Sequence, residues 1–322
     1  MDAPRFLAIT GPTASGKTDL SVGLAGHVPM EIISMDSRQV YRGMDVGTDK
    51  VEPAARASVP HHGLDLVDPD ERYSAGRFAR DARGWIEEIR GRGCLPVLVG
   101  GTGFFLKAVM EPIFAEPPMG RERVEELRRY LGRQPRESLE GWVRRLDPDR
   151  AALAIEGGPQ RMGRTLEVAL LTGRPLSWWH REAPSEGEGL AGVVVRIQLP
   201  KDEMDRRIDA RVATMVDRGL IEEVQGLLEA GYAVDTPGMT GTGYRETARY
   251  LAGEISIEEA VEEIRRNTRR YARRQLTWYR NQLPPDAVVV DAMAPLEDQV
   301  AQVLTAWNDH APQVGARTEE SA

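Results

Sequence analysis

Cysteine is nearly absent from this chain of 322 residues: Cys94 stands alone, which excludes an internal disulfide and leaves too few thiolates for a zinc site. Long hydrophobic runs are absent too. No stretch approaches the ~18 apolar residues that span a bilayer, so no membrane segment is expected. The opening MDAPRFLAIT enters a strand-like run without a basic n-region, so no secretory leader is expected and a cytosolic location follows. No internal repeat recurs at a fixed period. An excess of positive charge is also missing: 42 Lys and Arg face 50 Asp and Glu, a net charge of −8 that would ordinarily argue against a polyanionic partner. The distribution reverses that argument. Residues 264–281, IRRNTRRYARRQLTWYRN, hold seven arginines and no acid, directly after the acidic EISIEEAVEE.

What is present describes a globular protein, 41% hydrophobic and 29% charged, long enough for one main domain with an insertion. Short β-rich runs at Phe6–Thr10, Ile32–Asp36, Leu95–Gly100, Val193–Leu199 and Val288–Asp291 alternate with helical patterns. That alternation predicts an α/β fold with a mostly parallel sheet covered on both faces. Between EPPMG and PSEGEGLAG the texture becomes helical and rich in Arg and Glu. Residues 116–189 are therefore expected to form an inserted helical domain, with 1–115 and 190–311 as the core and 312–322 as a disordered tail. From Lys201 the pattern is helical to about Leu283, broken near DTPGMTGTGYRE.

The clearest chemical motif is GPTASGKT. Gly11, Gly16, Lys17 and Thr18 fit G-x-x-x-x-G-K-[ST] between a predicted strand and a predicted helix, the context a phosphate-binding loop requires. Across Gly11, Pro12, Thr13, Ala14, Ser15 and Gly16 the backbone amides can curl around phosphate oxygens. Lys17 adds a full charge, and Thr18 offers a hydroxyl to Mg²⁺. ATP, GTP or any pyrophosphate ester would satisfy the same donors. Downstream, EIISMDSRQ places Asp36 at the C-terminal end of a strand, where ligands of open α/β sheets collect. It can hold Mg²⁺ as in a P-loop kinase, act as a general base toward an incoming nucleophile, or cap the next turn through Ser37.

The series GPTASGKT, SMDSRQVYRGMDVGTDK, GGTGFFLKA, PQRMGRTLEV, RRIDARVATMVDRGLIEEV, GYRE and RRYARRQLTWYR, running from about residue 6 to 281, resembles the ordered motifs of the bacterial tRNA dimethylallyltransferases. The resemblance implies a P-loop-derived fold whose loop holds dimethylallyl diphosphate. It also implies transfer of the five-carbon group to the exocyclic amine of the adenine 3′ of the anticodon, in tRNAs reading codons that begin with U. By that similarity Asp36 is the general base, and Ser37, Arg38 and Gln39 belong to the tRNA-contacting segment. Thr102 sits by the reacting groups, Arg211 helps bind the diphosphate, and the motif containing Gln160, Arg161, Met162, Gly163 and Arg164 contacts the anticodon loop. A monomer is expected. Phe104 and Phe105 stand where the family more often has Leu-Tyr, and the single cysteine excludes the C-terminal zinc finger of eukaryotic members.

These residues suit that chemistry. An exocyclic amine is a poor nucleophile, and a carboxylate that accepts its proton assists attack. Lys17, Arg211, the loop amides and Mg²⁺ on Thr18 would steady the departing diphosphate. Thr102 follows the strand LPVLV in a Gly-Gly-Thr-Gly turn and can serve the reaction or merely the turn, while Arg207 and Arg211 lie one helical turn apart. In the helix at 261–281, Val261, Ile264, Thr268, Tyr271, Gln275 and Trp278 recur at three- and four-residue steps. Tyr271 and Trp278 are expected in the core. Arg269, Arg270, Arg273 and Arg274 are expected to meet RNA phosphate, the alternative being neutralisation by EISIEEAVEE. A stacked adenine would have to be flipped out to reach a buried diphosphate. Three other activities fit the phosphate loop: a small-molecule kinase, which leaves the arginine-rich helix without a task; a related transferase that prenylates free adenine nucleotides, which would need neither that helix nor PQRMGR; and an RNA-binding module switched by a nucleotide.

Overall fold

The computed structural model describes residues 4–310 apart from 115, 116, 118 and 184; the expected tail at 312–322 lies outside the described residues. Two compact units are present, one formed by 1–111 with 189–322 and the other by 112–188.

The larger unit begins with β1 (Phe6–Thr10), α1 (Lys17–Ala25), β2 (Met30–Ser34), α2 (Pro53–Ser58), β3 (His61–His62), α3 (Ala75–Gly91), β4 (Leu95–Gly100) and α4 (Gly103–Met110). The smaller unit holds β5 (Ile113–Phe114), α5 (Arg121–Leu131), α6 (Arg136–Leu146), α7 (Ala151–Glu156), α8 (Pro159–Thr172), α9 (Leu176–Glu182) and β6 (Ser185–Glu186). The larger unit resumes with β7 (Gly192–Gln198), α10 (Lys201–Asp217), α11 (Leu220–Glu229), α12 (Tyr244–Leu251), α13 (Ile257–Gln282), β8 (Val288–Asp291) and α14 (Leu296–His310).

Six strands form one parallel sheet in the order β3-β2-β4-β1-β7-β8, with Ala8 of β1 level with Leu98 of β4 and Val194 of β7. Central β1 reads FLAIT without a charge because it is covered on both faces. Leu7 and Ile9 join Ile32, Val97, Val195 and Ile197 in a core completed by Leu20 and Leu24 of α1, Ile208 of α10 and Val300 of α14. The alternate residues Phe6, Ala8, Ile33 and Leu98 are buried toward the other face, where α3 brings Phe78, Ala82 and Ile86. Each such large side chain contributes about 1.5–3 kcal/mol by leaving water.

The strand expected at Ile32–Asp36 runs from Met30 to Ser34, so Asp36 lies beyond the ladder in the following turn. The strand expected at Val193–Leu199 runs one residue earlier at each end. Two-residue β3, on the outer edge beside β2, carries too short a pattern to be legible beforehand. The smaller unit has its own core, in which Leu131, Leu139, Val143, Ala151, Ala154, Met162 and Leu166 pack together.

With β1 between β4 and β7, the loops leaving β1, β2 and β4 all open at the carboxyl edge of the sheet, where a parallel α/β fold holds its ligands. GPTASGKT, DSRQ and GGTG occupy those three loops.

Candidate active site

The phosphate loop follows β1 without a spacer. Ala14 and Gly16 have φ of 62° and 86°, the left-handed region in which glycine is unstrained and alanine is not. Lys17 Nζ donates to the carbonyls of Gly11 (3.0 Å) and Pro12 (2.7 Å) and lies 3.5 Å from Ser15 Oγ. Burial brings its pKa down to about 7; the positive charge of Arg211 acts in the same direction, against the opposing pull of Asp36 and Asp49. Arg211 reaches the loop from α10: Nη1 donates to Thr13 Oγ1 at 2.8 Å, and Nε lies 3.3 Å from Asp49. Thr18 is exposed at the start of α1. These groups open on a cavity of about 750 Å³, whose wall also includes Asp36, Arg207, Arg218, Tyr271 and Gln275.

Asp36 folds back on its own turn, Oδ1 accepting from the Arg38 amide at 2.8 Å. Thr102 is bound to the same turn from β4: its amide donates to the Met35 carbonyl at 3.2 Å, and its Oγ1 accepts from the Ser37 amide at 3.1 Å. The glycines before it are required by approach, since a Cβ on Gly100 would lie 2.1 Å from Met35 O and one on Gly101 2.2 Å from Gln275 Nε2. Tyr271 lines the same cavity; burial pushes its phenol up to about 12, and the Asp36 carboxylate pushes the same way. Asp36 and Tyr271 thus line the same cavity as Lys17 and the arginines of α10, and Thr102 is bonded to the Asp36 turn.

Sequence reasoning missed the side chains that hold these loops together. Gln275 accepts from the Thr13 amide at 2.9 Å and donates to Gly101 O at 2.8 Å, while Tyr279 OH is shared between Gly11 O (2.9 Å) and Gly101 O (3.1 Å). The four-residue spacing of Tyr271, Gln275 and Tyr279 carried a signal, a polar residue on an otherwise apolar stripe. Glu223 carried none. Its carboxylate accepts the amides of Asp45 (2.8 Å), Val46 (2.7 Å) and Gly47 (3.0 Å) and the hydroxyl of Tyr244 (2.6 Å), fixing the turn that presents Thr48 and Asp49 to Arg211.

Several expected RNA contacts are engaged within the chain. Arg38 Nη1 donates to Pro237 O at 2.7 Å, and Gln39 spans Ser34 Oγ (2.8 Å) and Thr48 O (3.2 Å). On α13, one guanidinium nitrogen of Arg269 reaches both carboxylate oxygens of Asp209, and Arg273 lies 3.7 Å from Asp205, so two arginines expected to meet RNA phosphate have counter-charges on α10. The acidic stretch EISIEEAVEE meets Arg249, Arg265 and Arg266. Arg270 and Arg274 are exposed and make no ion pair among the described residues; Arg274 lies over the Tyr271 ring, 5.8 Å from its centroid.

Within the smaller unit, Gln160 and Arg161 are exposed on α8, Gly163 is half-buried, and Arg164 lies 3.8 Å from Glu167. Met162 is 0% exposed and belongs to that unit's core, so its side chain supports α8 from beneath instead of facing outward.

Known proteins resemble this chain over most of its length. Residues 39–282 match the family model described as IPP transferase. A tRNA dimethylallyltransferase of Roseiflexus sp. (strain RS-1) is 42% identical over 308 residues, covering 94% of this chain and 99% of that one. The tRNA dimethylallyltransferase of Geobacter sulfurreducens is 42% identical over 276 residues, 86% of this chain and 89% of the other. Among solved structures, the tRNA isopentenylpyrophosphate transferase of Bacillus halodurans superposes with a TM-score of 0.68 at 34% identity, covering 95% of this chain and 97% of that one. A eukaryotic dimethylallyltransferase described as acting on tRNA reaches 0.77 at 25% identity, over 97% of this chain and 81% of that chain. A match over most of the phosphate-loop unit and the whole insert, at this identity, places the chain in the IPP transferase family.

Proposed function

We propose that the protein transfers the dimethylallyl group of dimethylallyl diphosphate to the exocyclic amine of the adenine immediately 3′ of the anticodon, in tRNAs that read codons beginning with U. The observation that carries this reading is a single cavity lined both by the phosphate loop with Lys17 and Arg211 and by Asp36, a carboxylate near enough to Lys17 to act on its charge, in a chain whose relatives are named tRNA dimethylallyltransferases.

In this mechanism the donor diphosphate lies on the loop from Gly11 to Thr18, with Lys17 and Arg211 directed at its oxygens. The adenine amine attacks the allylic carbon, the bond from that carbon to the bridging oxygen breaks, and the pair of electrons leaves on diphosphate. Asp36 takes the amine proton. Thr102, anchored to the Asp36 turn by its Oγ1, orients the amine or donates to the departing oxygen. Charge directed at a leaving group from preorganised donors is worth roughly 10²–10³ in rate per donor. Mg²⁺ fits as a partner of the diphosphate more than of the protein. Among the described residues no three His, Cys, Asp or Glu side chains gather to hold a metal, whereas the Thr18 hydroxyl lines the cavity and Mg²⁺ is commonly held by substrate phosphates and retained waters with few protein ligands. When bound there, the ion would supply further positive charge to the leaving diphosphate.

The tRNA itself would meet Gln160 and Arg161 on α8, with Gly163 and Arg164 beside them, and the α13 arginines, foremost Arg270 and Arg274. Ser37, Arg38 and Gln39 act by shaping the turn under the adenine, given their bonds within the chain.

Incubation with unmodified tRNA, Mg²⁺ and labelled dimethylallyl diphosphate tests the reading: label should enter the RNA and diphosphate should be released. ATP turnover without label in RNA would establish the kinase reading instead. Asp36→Ala should keep tRNA binding and lower transfer by about 10²-fold or more; transfer at the wild-type rate would remove Asp36 from its role as base.

A further inference from the structure

Phe104 is 58% exposed, an unusual setting for the first turn of a helix that begins beside the reacting groups. It follows Thr102 by two residues, and its ring lies 6.2 Å from that of Trp278 on α13, tilted by 50°. Trp278, expected in the core from periodicity, is partly buried and rests over the start of α4, where a Cβ on Gly103 would come within 2.3 Å of its indole. Glycine at 103 is what lets the two aromatic rings meet. Arg270, Arg274 and Trp278 follow one another at steps of four, so they share one stripe of α13. That stripe runs from two exposed guanidiniums that make no ion pair among the described residues to a partly buried Trp278 beside the exposed ring of Phe104, and Tyr271 beside it lines the cavity.

Cations spaced along a surface that ends in accessible rings match the chemistry of single-stranded nucleic acid, whose phosphates need charge and whose unpaired bases stack. Extruding one base from a stacked loop leaves its neighbour with an uncovered face. We propose that Phe104 and Trp278 form a stacking platform for the unpaired base adjacent to the modified adenine, with Arg270 and Arg274 on the flanking phosphates. This rests on the tRNA-prenylation reading and adds to it a residue pair that positions RNA. Phe105, the residue after Phe104, has no part in the platform, being buried in a stacked pair with Phe78 at 4.3 Å.

The test uses the full-length protein and a tRNA anticodon stem-loop carrying 2-aminopurine next to the target adenine. On the wild type, stacking should quench the 2-aminopurine, and labelled transfer should proceed. Phe104→Ala should abolish most of the quenching and raise the KM for the stem-loop about tenfold, leaving the KM for dimethylallyl diphosphate and the melting temperature unchanged; Phe104→Trp should restore both readouts. Unaltered quenching and KM in Phe104→Ala, with wild-type transfer intact, would overturn the platform while leaving the prenylation reading standing. Absence of transfer by the wild type would remove that reading itself. A concentration-dependent change of mass in Phe104→Ala by light scattering would assign the aromatic pair to a contact between copies of this chain and would also overturn it.

Discussion

At the scale of single residues the site is controlled by charges that are held before any substrate arrives. Lys17 lies among carbonyls that its ammonium can satisfy, but burial and Arg211 leave its pKa near 7. A diphosphate beside it would raise that value, so donor binding takes up a proton: about half a proton per site at pH 7, falling toward zero below pH 6, where the lysine is already charged. Above pH 7 the dissociation constant should therefore rise, approaching tenfold per unit. Calorimetry in buffers of differing ionisation enthalpy reads the uptake directly, with Lys17→Arg as the non-titrating control; identical heats in all buffers would refute the assignment. Glu223 is the other decisive residue. Glu223→Gln keeps the shape but replaces an acceptor for three amides by a group that also donates, costing about 1–3 kcal/mol of stability. Because the freed turn carries Thr48 and Asp49 to Arg211, the KM for the donor should rise about tenfold while that for tRNA stays constant. A uniform loss in kcat with both KM values unchanged would show that Glu223 does not act through this turn.

Among the elements, some were legible in the sequence and others were not, for physical reasons. β1, β4 and β8 fall where their apolar, β-branched runs placed them, and the phosphate loop was recognisable because glycine spacing and a strand-to-helix context report local geometry. The end of β2 was drawn too far along the chain: Met35 is buried and its amide still donates to Val99 O of β4 at 2.8 Å, but its carbonyl already accepts from the Thr102 amide and the ladder ends there. What pattern could not supply is contact at long range. Gln275 meets the Thr13 amide across most of the chain, and Glu223 meets residues 45–47. Helix α13, about 39 Å long at 1.5 Å per residue, is held by a reciprocal cap between Ser256 and Glu259 and by Glu246 of α12, which accepts from Asn267 at 2.6 Å. GYRE thus has two jobs in the fold: Tyr244 closes the Glu223 cradle, while Glu246 caps its own helix and grips α13.

For the molecule as a whole, the chain leaves the core unit at Glu111 and re-enters it at Gly189, and these ends are neighbours. Leu190 N donates to Val109 O at 3.1 Å, and a Cβ on Gly189 would lie 2.1 Å from Met110 O. Replacing 112–188 by a few glycines should therefore leave the six-stranded core with a cooperative melt and intact diphosphate binding, while tRNA affinity falls by more than tenfold. Retained tRNA affinity would show that the core alone carries RNA recognition. The same helix α13 turns Gln275 toward the phosphate loop and Arg270 and Arg274 outward. On the proposed function it would belong to both binding equilibria. If diphosphate on the loop displaces the Thr13–Gln275 bond and thereby changes the affinity for RNA by some factor, RNA must change the affinity for diphosphate by that same factor. The 26-residue rod would then link the two substrates thermodynamically, and the order in which they bind could alter the route but not the total.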